Sequence, residues 1–109
     1  MDLKQLTDEM NRFVTAKGWY DEGSLREQKP RNLAISLVLE ASEVLEHFQW
    51  GEKESDRGKL QEELADVALY LLQLASVSGI DLEEAIIAKL KKNYGRTWDT
   101  DRSEEENSK

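Results

Sequence analysis

The residues that decide the fold read RNLAISLVLEASEVLEHFQW over 31–50, GEKESDRG over 51–58 and KLQEELADVALY over 59–70. Apolar residues recur at helical spacing in the first and last of these segments. The middle one is polar and bounded by glycines, so the pattern predicts two helices joined by a short turn. Each helix carries an acidic pair, Glu40 with Glu43 and Glu63 with Asp66. Residues three apart share a helical face, so each pair aims two carboxylates the same way. If the segments fold back about 51–56, both pairs stand at matching heights, roughly 11–16 Å from the turn. Leucines, valines and alanines flank both pairs, and these helices hold too few basic residues to neutralise the acids. Converging carboxylates in such a setting repel one another unless a multivalent cation sits among them. The spacing therefore predicts a divalent-metal site made of Glu40, Glu43, Glu63 and Asp66.

Ligation by carboxylate oxygen alone suits Mg²⁺, with Mn²⁺ as a substitute. A di-iron bundle would instead use Glu-x-x-His on two helices. The chain has a single histidine, His47, at the wrong spacing for that motif. His47 is expected to be an ordinary surface residue or a support for a ligand.

On the N-terminal side, Leu3, Leu6, Met10, Phe13 and Val14 form one apolar stripe, predicting a helix over 2–16 with Asp2 as its cap and Gly18 as its stop. Residues 17–29 are polar and without a period, which predicts a long loop. Pro30 suits the first turn of the second helix, expected over 31–50. A third helix is predicted over 57–78, capped by Ser55 or Asp56 and stopped by Gly79. Asp81 with Glu84 opens a fourth, ending near Tyr94 and closed by Gly95. The chain then reads as one domain over 1–96 and a polar, acidic, disordered tail over 97–109.

These elements predict an all-α fold, a four-helix bundle. The second helix is apolar round much of its circumference, which argues that another copy of the chain completes the bundle. With 109 residues the chain can build a single core. A net charge of −8 disfavours duplex nucleic acid or an anionic membrane as partner. It leaves room for a polyphosphate, if metal sits on the acids and local cations face the phosphates. There is no cysteine, no apolar run long enough to span a membrane and no secretory signal pattern. A cytoplasmic location is the resulting expectation.

The local cations are found on the fourth helix. Lys89, Asn93 and Arg96 fall within about 60° of one another on a helical wheel. They would serve as a phosphate clamp, although cations late in a helix are also what its dipole favours. The aromatics Trp19, Trp50 and Tyr70 would either wall a flat ligand by stacking or pack in a core or interface.

Taken together, Glu40-x-x-Glu43, nineteen residues, then Glu63-x-x-Asp66 resembles the paired acidic motif of the all-α nucleoside triphosphate pyrophosphohydrolases, the MazG-like superfamily. Pro30-Arg-Asn-Leu-Ala, Glu43-x-x-Glu46-x-Phe48-Gln-Trp50 and Gln61-Glu-Glu-Leu-Ala-Asp66-Val resemble its dCTP pyrophosphatase branch, and Lys89-x-x-x-Asn93-x-x-Arg96 fits it. The resemblance covers about residues 10–98. Two features depart from the branch. The stretch between Trp19 and Pro30 is longer here, and a histidine that relatives carry in the N-terminal region is absent.

The resemblance implies hydrolysis of (deoxy)nucleoside triphosphates, dCTP-like or modified, between the α and β phosphates, in the service of nucleotide-pool sanitation. It also implies assembly into dimers or tetramers whose paired subunits complete each bundle. By position, Glu40, Glu43, Glu63 and Asp66 would bind Mg²⁺ and Lys89, Asn93 and Arg96 would face the phosphates. Trp50 and Tyr70, with Asn32 and Trp19, would line the base and sugar pocket. A carboxylate not fully used by metal would accept the proton from water, and Glu43 and Glu46 both qualify. The competing expectation is a non-catalytic helical module that holds a partner protein. It accounts for the amphipathic helices but not for acids set among apolar residues.

Overall fold

The computed structural model describes residues 1–96, and the tail expected over 97–109 lies outside the described residues. Four helices occur in the order α1 (Leu3–Ala16), α2 (Pro30–Glu46), α3 (Arg57–Val77) and α4 (Leu82–Tyr94). No strand is present among the described residues, so the all-α expectation holds.

The caps explain the boundaries. Asp2 accepts from the Gln5 backbone N–H while the Gln5 side chain accepts from the Asp2 N–H, a reciprocal box that starts α1. Asp56 and Asp81 accept from Lys59 and Glu84 and start α3 and α4. Proline opens α2, where its missing N–H costs nothing. The stops after α1 and α3 share one design. Gly18 and Gly79 sit at φ +73° and +70°, and the next residue's N–H reaches back five positions, Trp19 to Val14 and Ile80 to Ala75.

The end of α2 departs from expectation. The predicted helix ran to Trp50, but the observed one stops at Glu46. The N–H groups of His47, Phe48 and Gln49 bond to carbonyls three residues back, tightening the chain into a turn. No apolar contact rewards continuing, since Trp50 is 91% exposed.

The principal pairing is α2 along α3. It is antiparallel: His47 meets Glu63 beside the turn, whereas Gln28, just before α2, meets Gln73 at the far end. Helix α1 packs on α3, and α4 touches both α1 and α3. Between α3 and α4 the axis changes direction by 102°, so α4 leaves the pair instead of lying along it. No single helix among the described residues is long and apolar enough to cross a membrane.

The core is small for the sequence. Met10, Val14 and Leu72 form its centre, with Leu3, Trp19, Tyr20 and Leu82 packed around them, and Leu33 is buried between α2 and its neighbours. A second apolar face of α2 is bare: Ile35, Val38, Leu39 and Leu45 stand open, Val38 and Leu45 at 66% and 69% exposure. Leu64 and Leu71 on α3, and Ile86, Ile87 and Leu90 on α4, are open as well.

The loop between α1 and α2 is tied down by polar side chains. Tyr20 donates to Asn11 Oδ1 at 2.6 Å, and Asn11 donates to Ser76 Oγ at 2.9 Å. Gln73 donates to Gln28 Oε1 at 2.6 Å. Burial pushes the Tyr20 hydroxyl pKa up, partly offset by a hydrogen bond with Gln73. The loop thus stands in a defined place over α1 and α3.

Candidate functional site

The hairpin sets the acids. Glu40 lies on the α2 stripe that also carries Leu33, Leu37 and Val44, and Glu63 on the α3 stripe with Leu60, Val67 and Tyr70. Both are partly buried, whereas Glu43 and Asp66 are exposed at the flanks of the pair. Oε2 of Glu40 is buried with no hydrogen-bond partner. The Glu40 pKa is raised, first by burial, then by a hydrogen bond with Glu43 and by the charges of Glu43, Asp66 and Glu63. Glu40 therefore feels all three of the other predicted ligands.

As they stand, no three acid or histidine side chains among the described residues are set tightly enough to hold an ion. The donor set is nonetheless hard oxygen, with one buried oxygen lacking any partner. That fits a hard divalent cation, which would draw the carboxylates together and relieve their repulsion.

Two hollows take in the other three acids. One, about 370 Å³, is lined by Glu43, Glu46, His47, Ser55 and Glu63 and is mostly polar. The other, about 750 Å³, runs between α1, the loop, α2 and α3. Trp19, Phe13 and Tyr70 give it aromatic walls, Asn32, Ser36 and Gln73 supply polar groups, and Asp66, Glu9 and Glu27 supply carboxylates. Trp19 meets Phe13 edge to face, ring centres 5.6 Å apart, and the Arg26 guanidinium lies 5.2 Å from the Trp19 ring. A groove this size with aromatic walls and polar groups among them suits a heteroaromatic ligand.

Of the residues the sequence singled out, the large groove gathers Trp19, Asn32, Tyr70 and Asp66. The acidic hollow gathers Glu43, Glu46 and Glu63, and Glu40 is coupled to both sides. Others are not brought in. Trp50 points into solvent after the helix ends early. Lys89 and Asn93 lie on α4 beyond the end of α3, and Arg96, expected on the same helix, falls two residues past its end; none of the three lines either hollow. Arg96 donates to Asn93 Oδ1 at 3.3 Å.

His47 is the residue that sequence reasoning undervalued. It is 8% exposed, its Nε2 lies 2.5 Å from Glu63 Oε2, and its Nδ1 lies 3.0 Å from Ser55 Oγ. Its place on the Glu40 stripe was visible in the sequence. Its burial was not, because that depends on how the turn closes. Gln73, buried in α3 with its amide toward the loop, carried no signal either.

The raised Glu40 pKa has a consequence for stability. A carboxyl whose pKa is higher folded than unfolded favours the fold while protonated. That contribution is present below the ordinary glutamate value of 4.5 and is lost as pH rises through the raised folded value. Without metal, the melting midpoint of the wild type relative to Glu40→Gln is expected to fall as pH climbs from 4.5. Thermal melts of both proteins across pH 4–8 check this, and a constant difference would contradict it.

Comparison with known proteins follows the same lines. The MazG-like family matches residues 35–109. Bovine dCTP pyrophosphatase 1 is 39% identical over 77 residues, covering 62% of this chain and 46% of that protein. The human protein of the same name is 40% identical over 77 residues, covering 62% and 45%. The chain thus spans about half the length of these curated relatives. A dATP/dGTP diphosphohydrolase of cyanophage S-2L is 35% identical over 72 residues, covering 66% of this chain and 61% of that one. The crystal structure of a pyrophosphatase from Archaeoglobus fulgidus superposes with a TM-score of 0.68 at 37% identity, covering 84% of this chain and 87% of that chain.

Proposed function

Since the chain belongs to the MazG-like family, we propose that it hydrolyses nucleoside triphosphates to a monophosphate and pyrophosphate with a divalent metal. The observation that carries this reading is the partnerless buried oxygen of Glu40, which feels the charges of Glu43, Glu63 and Asp66, the last of these lining an aromatic-walled groove. Glu40, Glu43, Glu63 and Asp66 would hold Mg²⁺ or Mn²⁺. A bound divalent ion at such a site supplies charge neutralisation for the phosphates and a lowered pKa for water.

The chain's own residues do the rest. Trp19 and Tyr70 offer faces for a base, and Asn32 and Ser36 offer hydrogen bonds to base or sugar. In this reading the base would lie in the groove and the α-phosphorus would face the acids. Attack by water there forms an oxygen–phosphorus bond, breaks the bridge to the β-phosphorus and releases pyrophosphate. Glu43 or Glu46, both exposed in the acidic hollow, accepts the proton. The names of the relatives favour deoxynucleotides, dCTP among them. Removal of unwanted deoxynucleotides in the cytoplasm is the corresponding role.

Self-association belongs to this reading. The bare faces of α2, α3 and α4 fit a second copy of the chain, in a dimer or a tetramer. Lys89 and Asn93 stand on α4, and Arg96 two residues past its end; α4 begins beyond Val77, roughly 16 Å along α3 from Asp66, and runs at 102° to α3. They would meet a triphosphate across the interface, from the neighbouring copy.

The test is a panel of nucleoside triphosphates incubated with the protein and Mg²⁺, with pyrophosphate and monophosphate quantified. Equimolar pyrophosphate and monophosphate from a deoxynucleotide is the expected result. Release of inorganic phosphate with a diphosphate would contradict attack at the α-phosphorus. The bare apolar faces also favour a second reading, a helical module that binds a partner protein. It predicts no pyrophosphate and a melting midpoint unmoved by Mg²⁺ or a triphosphate.

A further inference from the structure

We infer that His47, locked by Ser55, is a positioning residue that fixes the Glu63 carboxylate for the metal. The inference rests on the function proposed above and concerns how one of its acids is kept in place. His47 caps the end of α2, and its imidazole is among the few polar side chains buried among the described residues. Both of its ring nitrogens are used. Nδ1 faces the Ser55 hydroxyl at 3.0 Å and Nε2 faces Glu63 Oε2 at 2.5 Å. A carboxylate accepts and never donates, so Nε2 carries the proton and donates to Glu63. The Ser55 hydroxyl bonds to Nδ1 at the opposite edge and holds the ring in that orientation.

The arrangement answers a mechanical problem. Glu63 has a long side chain beside carboxylates that repel it, and the charge of Glu63 is one of those felt by Glu40. Left to itself it would swing outward. The His47 N–H engages Oε2 and leaves Oε1 for a cation. Hydrogen-bonded supports of this kind orient metal ligands and raise affinity by about 10–100-fold. Ser55 stands one residue before the Asp56 cap of α3, and Arg57 pairs with Glu54 at 3.1 Å on the same turn. The α2–α3 turn thereby sets where Glu63 stands. A helix ending at Glu46 instead of Trp50 is what allows this closure.

The test compares wild type with His47→Leu, His47→Gln and Ser55→Ala. The readouts are the Mg²⁺ concentration at half the thermal-midpoint shift, the Mg²⁺ concentration at half-maximal pyrophosphate release, and kcat at saturating Mg²⁺. His47→Leu is expected to raise both half-saturation values by about 10–100-fold while kcat at saturating Mg²⁺ changes only a few-fold. His47→Gln, whose amide can still donate, is expected to recover part of the loss. Ser55→Ala removes a hydroxyl from an exposed position and is expected to shift the same values in the same direction by less. Half-saturation within about twofold of wild type in His47→Leu would overturn the inference. If His47→Leu does not fold, the same result in Ser55→Ala overturns it. A wild type with no Mg²⁺ response at all overturns the proposed function and this inference together; a responsive wild type with unaffected variants overturns this inference alone.

Discussion

Glu40→Gln is expected to lower Mg²⁺-dependent pyrophosphate release by about 10²–10³-fold while raising the melting midpoint of the metal-free protein at neutral pH. The two effects have one cause. Glu40 sits where burial and three neighbouring carboxylates all disfavour its charge, and its Oε2 has no partner. Glutamine keeps the shape and removes the charge, so the metal-free fold loses a repulsion. With the charge goes an anionic ligand, and loss of several kcal/mol of metal-borne stabilisation corresponds to a rate loss of that size. A purely structural Glu40 would give the gain in stability without the loss in rate. Pyrophosphate release and thermal melts on the same preparation check both halves, and unchanged activity in a stable variant would contradict the assignment.

The second large effect is expected from Val38→Glu and Leu45→Glu. Both side chains lie about two-thirds exposed in the single chain, where surface substitutions change stability by no more than about 0.5 kcal/mol. If a second copy covers this face, each substitution buries an unpaired carboxylate, at a cost of about 3–5 kcal/mol. The expected results are a sedimentation mass that drops to one chain, a melting midpoint lower by about 10 °C or more, and activity lost with the assembly because α4 then has no neighbouring site to serve. A wild type that sediments as a monomer, or variants that keep its mass and midpoint, would remove self-association from the account.

Much of this molecule was readable from local pattern. The stops at Gly18 and Gly79 and the caps at Asp2, Asp56 and Asp81 are properties of single turns, so α1, α3 and α4 lie within a residue or so of expectation. Pairing of α2 with α3 followed from the short connection, and with it the meeting of Glu40 with Glu63 and Asp66. Other features are set by tertiary geometry. No residue of Ser78 to Asp81 announces a 102° change of direction, so the expectation for Lys89, Asn93 and Arg96 carried no distance from the acids, and it set Arg96 on a helix that ends at Tyr94. Trp50 was placed on a helix that instead unwinds, because the reward for continuing, an apolar neighbour, is absent in the single chain. The burial of His47 and Gln73 depends on partners 16 and 45 residues away, beyond the reach of periodicity.

The most direct measurement is an electron paramagnetic resonance titration of metal-free protein with Mn²⁺. The account predicts that the wild type takes up the ion, suppressing the six-line signal of the free aqua ion until the sites fill, and that Glu40→Gln and Asp66→Asn do so far less well. A wild type that leaves the free-ion signal undiminished, or variants that bind Mn²⁺ as the wild type does, would contradict the claim that carboxylates from two facing helices share a metal.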